Sequence, residues 1–264
     1  MIEELTTTDA KKSTWSGQTL QVNGANLYYE KHGKGDPLIC LHNFSSNSRT
    51  RFTPLLPELT KHYTCYLVDL RGHGRSDNPD SPAWSHEQSS RDIIELCKEL
   101  AIEKAQFLAT SSGGMAMLRV ARYAPDLVQA MVLDSATYRV PLEARKFYKS
   151  PDALSKKLIE YYKHANEIYG ASYWKVLAQT FYDFRLPECD INVPLDTLSE
   201  IQAPTLIISG DRDLFFTVDI AIDMKRTIPN SELFVFPNTQ HIVMEFFPQM
   251  VAELSIDFFT RFTK

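Results

Sequence analysis

A serine hydroxyl attacks a carbonyl usefully near neutral pH only when a neighbouring base removes its proton during attack. The chain carries side chains for such a relay at three separated points. The first is Phe107-Leu108-Ala109-Thr110-Ser111-Ser112-Gly113-Gly114, where an apolar run passes into a helical one through small residues. A sharp turn from strand to helix lifts one side chain out of a sheet provided the residues two before and two after it are small, as Ala109 and Gly113 are. The second is Asp211-Arg212-Asp213, which follows the apolar run Leu206-Ile207-Ile208, and the third is His241, which follows a short apolar run from Leu233 to Phe236. An imidazole with an ordinary pKa of about 6.5 can take the hydroxyl proton and return it to a leaving group, while a carboxylate behind the ring orients it and stabilises the cation. Taken alone, a serine before Gly-Gly is equally a helix N-cap, and Asp134, Asp211 and Asp213 all offer a carboxylate at a strand end.

The order serine, acid, histidine, each just after a strand, resembles the α/β-hydrolase family, whose nucleophile turn reads Gly-x-Ser-x-Gly. The resemblance covers nearly the whole core. It implies Ser111 as nucleophile, Asp213 as acid and His241 as base. Pro37-Leu38-Ile39-Cys40-Leu41-His42-Asn43-Phe44 is similar to the family's strand and oxyanion turn, and Asp69-Leu70-Arg71-Gly72-His73-Gly74-Arg75-Ser76 to the loop after the next strand. On that basis the backbone N–H groups of Phe44 and Ser112 are expected to form the oxyanion hole, and His42 and His73 to hold loop shape. Some relatives carry the acid at the position of Asp134. The chain departs from the pattern at Asn43, where many relatives have glycine, at Ala109 and Thr110, and at Gln240 before the histidine. Asn43 tolerates a left-handed backbone better than most residues, and its amide is expected to offer a further donor in the pocket.

These groups need a scaffold, and the chain has one. Asn23-Gly24 between alternating segments from Thr19 and Ala25 predicts an antiparallel hairpin. Short apolar strands over 38–42, 64–69, 105–109 and 128–133 then alternate with amphipathic segments, which predicts an α/β fold with a mostly parallel sheet covered by helices on both faces. The alternation stops between Asp134 and Ala203. Leu154, Leu158, Tyr161, Tyr162, Ala165 and Ile168 recur at helical spacing, with Gly170 as a stop before a second helix through Trp174, Leu177 and Phe181. Residues 136–197 are therefore read as a small helical lid inserted after the sixth strand, between core segments 1–135 and 198–264. On the resembling fold such an insertion roofs the nucleophile, so Trp174, Phe181 and Tyr182, together with Asn43, are candidate pocket residues.

Composition narrows the field. With 264 residues, 44% hydrophobic and 23% charged, the chain buries a full core. A formal net charge of −5 and the lack of a basic stripe argue against nucleic acid as a partner. No apolar run reaches the roughly 20 residues that cross a bilayer, and residues 1–16 form a polar lead-in without a signal-peptide core, so a cytoplasmic location is expected. The four cysteines, Cys40, Cys65, Cys97 and Cys189, are widely spaced and read as reduced; neither they nor the seven histidines show metal-ligand spacing, so no metal is expected. His32, His62, His86 and His164 lie in polar stretches with no assigned role.

The resemblance implies a carboxylesterase-like serine hydrolase without cofactor, acting on the ester or similar acyl bond of a small, largely apolar substrate, as a monomer or homodimer. Serine at the nucleophile position argues against dehalogenase or epoxide hydrolase chemistry, which uses aspartate there. Carbon–carbon hydrolase, perhydrolase, haloperoxidase-like and hydroxynitrile lyase activities use a similar triad, and a small-molecule sensor with a degenerate site is the alternative of another class.

Overall fold

The computed structural model describes residues 17–79, 84–164, 166, 168–170 and 172–262; the polar lead-in lies outside them. Among the described residues eight strands form one sheet: β1 (Gln18–Val22), β2 (Ala25–Gly33), β3 (Asp36–Leu41), β4 (Tyr63–Val68), β5 (Ala105–Thr110), β6 (Val128–Asp134), β7 (Thr205–Gly210) and β8 (Ser231–Phe236). Their spatial order is β1-β2-β4-β3-β5-β6-β7-β8. β1, β2 and β4 pair antiparallel and every later pairing is parallel. The hairpin between β1 and β2 turns on Asn23 and Gly24, both with positive φ (46° and 77°), as a two-residue loop matched to strand twist requires.

Side-chain alternation along the buried strands divides the interior into two layers. Ile39, Leu41, Phe107, Ala109, Met131, Leu133 and Ile207 face one layer, and Leu38, Cys40, Leu108, Ala130, Val132, Leu206 and Ile208 the other. The second layer is closed by α1 (Ser48–Phe52), α2 (Leu56–Leu59) and the C-terminal helices. The first is closed by α3 (His86–Glu99), α4 (Ser112–Tyr123), the insertion after β6 and the helix after β7. α3 begins at Ser85, whose hydroxyl accepts the Gln88 N–H as an N-cap.

The insertion between β6 and β7 contains α5 (Lys156–His164), α6 (Trp174–Asp183) and short 3-10 turns, with no strand among the described residues. α5 is shorter than the periodicity through Ile168 predicts. The Asn166 side-chain oxygen accepts the Ile168 and Tyr169 N–H groups, and this local turn competes with further helix. α7 (Val218–Thr227), α8 (Val243–Phe246) and α9 (Pro248–Thr260) complete the chain. All four cysteines are free, and no described helix is long and apolar enough to cross a membrane.

The order β4-β3-β5 marks the point where successive crossovers run in opposite directions, which opens a crevice beyond the C-terminal ends of β3 and β5. One residue sets how closely α4 approaches β3 there. Gly113, near the start of α4, lies so close to the end of β3 that an added Cβ would stand 2.5 Å from the Leu41 carbonyl oxygen. Helix propensity favours alanine over glycine by about 1 kcal/mol. Gly113→Ala is nonetheless expected to lower unfolding free energy by roughly 1–3 kcal/mol, since rigid backbone has to move. Gly170→Ala, where no atom lies within 4 Å, serves as the comparison and should leave the urea midpoint unchanged. Equal midpoints for the two variants would refute the contact.

Candidate functional site

Ser111 ends the turn from β5 to α4 with φ 49° and ψ −117°, a strained geometry for a residue with a side chain. The Asp134 carbonyl accepts its N–H at 2.9 Å, which ties the turn to β6. Ser135 and Ile242 also have positive φ (52° and 67°), and the Ser135 hydroxyl accepts the Ile242 N–H at 3.0 Å. Strained residues thus gather where the β5, β6 and β8 loops meet.

The structure brings Ser111, Asp213 and His241 together. His241 Nε2 lies 3.1 Å from Ser111 Oγ, and His241 Nδ1 lies 2.7 Å from Asp213 Oδ2. A carboxylate only accepts, so Nδ1 carries the ring proton and Nε2 of the neutral ring is left to accept from the serine hydroxyl. Asp213 is itself fixed, because its other oxygen accepts the Phe215 and Phe216 N–H groups at 2.8 and 3.0 Å. Burial alone would lower the His241 pKa. The Asp213 carboxylate and its hydrogen bond, with the charges of Asp134 and Glu245, outweigh that effect and raise it above the ordinary value.

The two rival carboxylates sit elsewhere. Asp211 is partly exposed and accepts the Thr239 N–H at 3.1 Å, fastening the loop that carries His241. Asp134 is fully buried and accepts from Thr110 Oγ1 at 3.0 Å and from the Val243 N–H at 3.1 Å, so it anchors the segment following the histidine. Burial pushes its pKa up to about 6.

Across the crevice, His42 is fully buried and bridges two loops, with Nδ1 donating to the Asn43 carbonyl at 2.7 Å and Nε2 accepting the Leu70 N–H at 2.9 Å. Burial holds it neutral, with a pKa of about 4. The expectation for Asn43 is corrected twice. Its side chain is spent in the wall, Nδ2 donating to the Phe44 carbonyl at 2.9 Å and Oδ1 accepting from Arg51 Nε at 2.8 Å. The left-handed residue of the turn is Ser45, with φ 58°. Arg51 also pairs with Glu245 of α8, so one buried guanidinium links the turn after β3 to the helix following His241. Ser112 opens α4, which leaves its N–H without an intrahelical acceptor.

An aromatic cluster adjoins these groups. The Phe44 ring packs on Phe181 at 6.0 Å and Phe184 at 4.9 Å, Phe181 on Tyr148 at 4.8 Å and Phe215 at 6.2 Å, and Phe215 on the His241 ring at 5.3 Å. Of the three aromatic candidates from the sequence, Phe181 belongs to this cluster. Trp174 instead carries Lys175 over its ring and Tyr182 carries Arg185. Sequence reasoning missed Tyr148, Phe215 and Phe216, although the Phe-Phe pair directly after the Asp213 loop was a readable signal. It also misplaced His86, which is fully buried, with Nδ1 2.8 Å from Asp190 Oδ1 and Nε2 3.3 Å from Ser112 Oγ. Among the described residues no three His, Cys, Asp or Glu side chains converge as metal ligands would.

A family profile described as alpha/beta hydrolase fold matches residues 36–162 and 144–248. The chain belongs to that family. This alpha/beta hydrolase is 29% identical over 246 residues to the human serine hydrolase BPHL, covering 90% of the chain and 84% of the relative. Among solved structures it is similar to a meta-cleavage product hydrolase from Pseudomonas fluorescens, with a TM-score of 0.80, 19% identity, and coverage of 93% of this chain and 98% of the other. It is also similar to an enol-lactonase from Burkholderia xenovorans LB400, with a TM-score of 0.75, 20% identity, and coverage of 92% and 100%.

The charges around His241 set a pH dependence. If Ser111 is the nucleophile and His241 its base, attack requires a neutral ring, so kcat/KM should rise with pH through an apparent pKa above the ordinary value of about 6.5. Glu245→Gln removes a negative charge that favours the imidazolium, and the acid limb should move down by a fraction of a pH unit. A limb that stays in place or moves up, in a pH–rate profile of the two proteins, would contradict this electrostatic account.

Proposed function

We propose that the protein is a serine hydrolase that cleaves a carboxylic ester, or a similar acyl bond, of a small and largely apolar substrate through an acyl-enzyme. The observation that carries this reading is the hydrogen-bonded line Ser111–His241–Asp213, with Ser111 in a strained turn at the mouth of the sheet crevice. In the first half-reaction Ser111 Oγ bonds to the carbonyl carbon as its proton passes to His241 Nε2. The carbonyl electron pair moves onto oxygen, where the N–H groups of Ser112 and Phe44 hold it. Collapse breaks the bond to the leaving group, which takes the proton from His241. A water molecule, deprotonated by the same imidazole, then releases the acid and restores the serine. Asp213 keeps its negative charge throughout and stabilises the imidazolium.

The preference for an apolar substrate follows from the rings around Phe44, Phe181 and Phe215, which border the relay. Residues 136–197 act as the lid, since Tyr148, Phe181 and Phe184 of that segment supply much of the covering. The name of the human relative agrees with a serine nucleophile.

A fluorophosphonate probe and p-nitrophenyl esters from acetate to octanoate test the proposal. Wild-type protein should be labelled and should hydrolyse at least one ester, and Ser111→Ala should abolish labelling. His241→Ala and Ser111→Ala should each lower kcat by roughly 10⁴-fold or more. Asp213→Asn should lose about 10⁴-fold through the wrong imidazole tautomer. Asp211→Asn should stay within a few-fold of wild type. Labelling without hydrolysis of any ester would overturn the ester assignment and point to carbon–carbon cleavage; no labelling at all would overturn the hydrolase reading.

A further inference from the structure

A second line of serine, histidine and acid runs beside the first. Ser112 Oγ lies 3.3 Å from His86 Nε2, and His86 Nδ1 lies 2.8 Å from Asp190 Oδ1. Ser112 is 2% exposed and His86 fully buried, so this serine is closed to a substrate, and the line has another use. Its members come from three parts of the fold: Ser112 opens α4, His86 opens α3, and Asp190 follows α6 on the strap that returns from the insertion to the core. Each link is directional. The Asp190 carboxylate accepts the Nδ1 proton, so neutral His86 presents Nε2 to the Ser112 hydroxyl.

Asp190 is held firmly. Its other carboxylate oxygen accepts the Glu87 N–H at 2.9 Å, and its backbone carbonyl accepts from the guanidinium of Arg119 on α4. Burial opposes its ionisation, but His86, the Glu87 N–H and Arg119 overcome this and hold the carboxyl down at about 2. His86 is further wedged between the Trp84 ring at 4.8 Å and the Phe184 ring at 5.2 Å, and Phe184 touches Phe44.

We propose that Asp190 and His86 are positioning residues that clamp Ser112 through its hydroxyl, so that docking of the strap after α6 and the setting of the Ser112 backbone N–H beside Ser111 are one mechanical event. The proposal rests on the reading of Ser112 N–H as an oxyanion donor. A hydroxyl tether is suited to this job because it fixes the residue without occupying its amide, which stays free for the developing charge. Phe184 acts in parallel, since the ring that flanks His86 also braces Phe44, the residue supplying the other donor.

The test is a double-mutant cycle on Ser112→Ala and Asp190→Ala in the full chain, read by the rate constant for Ser111 phosphonylation by the fluorophosphonate and by kcat and KM on the best ester. Each single variant should lose roughly tenfold in both rate constants with KM little changed, and the double variant should lose no more than either single, as residues of one line do. Asp190→Asn offers one oxygen to two donors, the Glu87 N–H and His86 Nδ1, and must turn its NH2 on one of them, so it should lose about as much as Asp190→Ala, and a wild-type rate would overturn the clamp. Additive losses, a Ser112→Ala variant at wild-type rate, or losses confined to KM would overturn the clamp. Amide hydrogen exchange reads it without turnover, and so separates its failure from failure of the hydrolase reading. Asp190→Ala should speed exchange in a peptide spanning 110–115 as well as in the strap, and faster exchange in the strap alone would overturn it.

Discussion

The close approach of α4 to the end of β3 is the constraint on which the site depends. With hydrogen in place of a side chain at Gly113, the helix start settles against the Leu41 and His42 carbonyls. The turn after β3 and the turn after β5 then become two lips of one crevice rather than separate loops. Ser111 must take up a left-handed backbone to make that turn, and the strain is borne by parallel pairing of β5 with β3 on one side and β6 on the other. Nothing in the loops alone would keep the serine in this conformation. The rigid sheet and the buried helix do.

Electrostatics refine what packing assembles. His241 sits where burial disfavours charge, and a ring with pKa far below neutrality would be a weak base. Three carboxylates reverse the effect, each held in place by a different element: Asp213 by the two amides that follow it, Asp134 under α8, and Glu245 by Arg51. The same Arg51 grips Asn43, so the charges around His241 and the turn expected to hold the oxyanion are connected through one buried guanidinium. His42, one residue earlier, is driven the other way by burial and stays neutral, as its two hydrogen bonds require. Two histidines near one crevice thereby acquire opposite tendencies from their surroundings alone.

Much of this was legible in the chain. Strands buried on both faces have to be apolar almost throughout, so β3 to β7 stand out as runs, and Asn23-Gly24 specifies its turn because only such residues accept positive φ twice in succession. Ser111, Asp213 and His241 stood out through the order and strand-end placement the chain shares with the α/β-hydrolase family, since small neighbours and strand ends alone leave Asp134 and Asp211 as open as Asp213. What could not be read are groups whose setting is made by distant elements. His86 sits in a polar stretch of sequence yet is entirely buried, because the strap carrying Asp190 and the ring of Phe184 close over it. Asn43 looked like a left-handed turn residue facing the pocket, but Arg51, one helix away, draws its amide into the wall and the turn bends at Ser45 instead. The helix through Ile168 stops early because the Asn166 side chain offers its neighbours' amides a closer acceptor than the next helical turn would.

The central claim is that Ser111 attacks while the backbone N–H groups of Ser112 and Phe44 receive the oxygen that becomes negative. A crystal structure of the protein with a small alkylboronic acid tests it most directly, because boron forms a tetrahedral adduct with an activated serine. The account predicts a bond from boron to Ser111 Oγ, one boron-bound oxygen within hydrogen-bonding distance of both amides, and His241 Nε2 facing another oxygen. An adduct on a different residue, or one on Ser111 whose oxygens turn away from both amides, would contradict it.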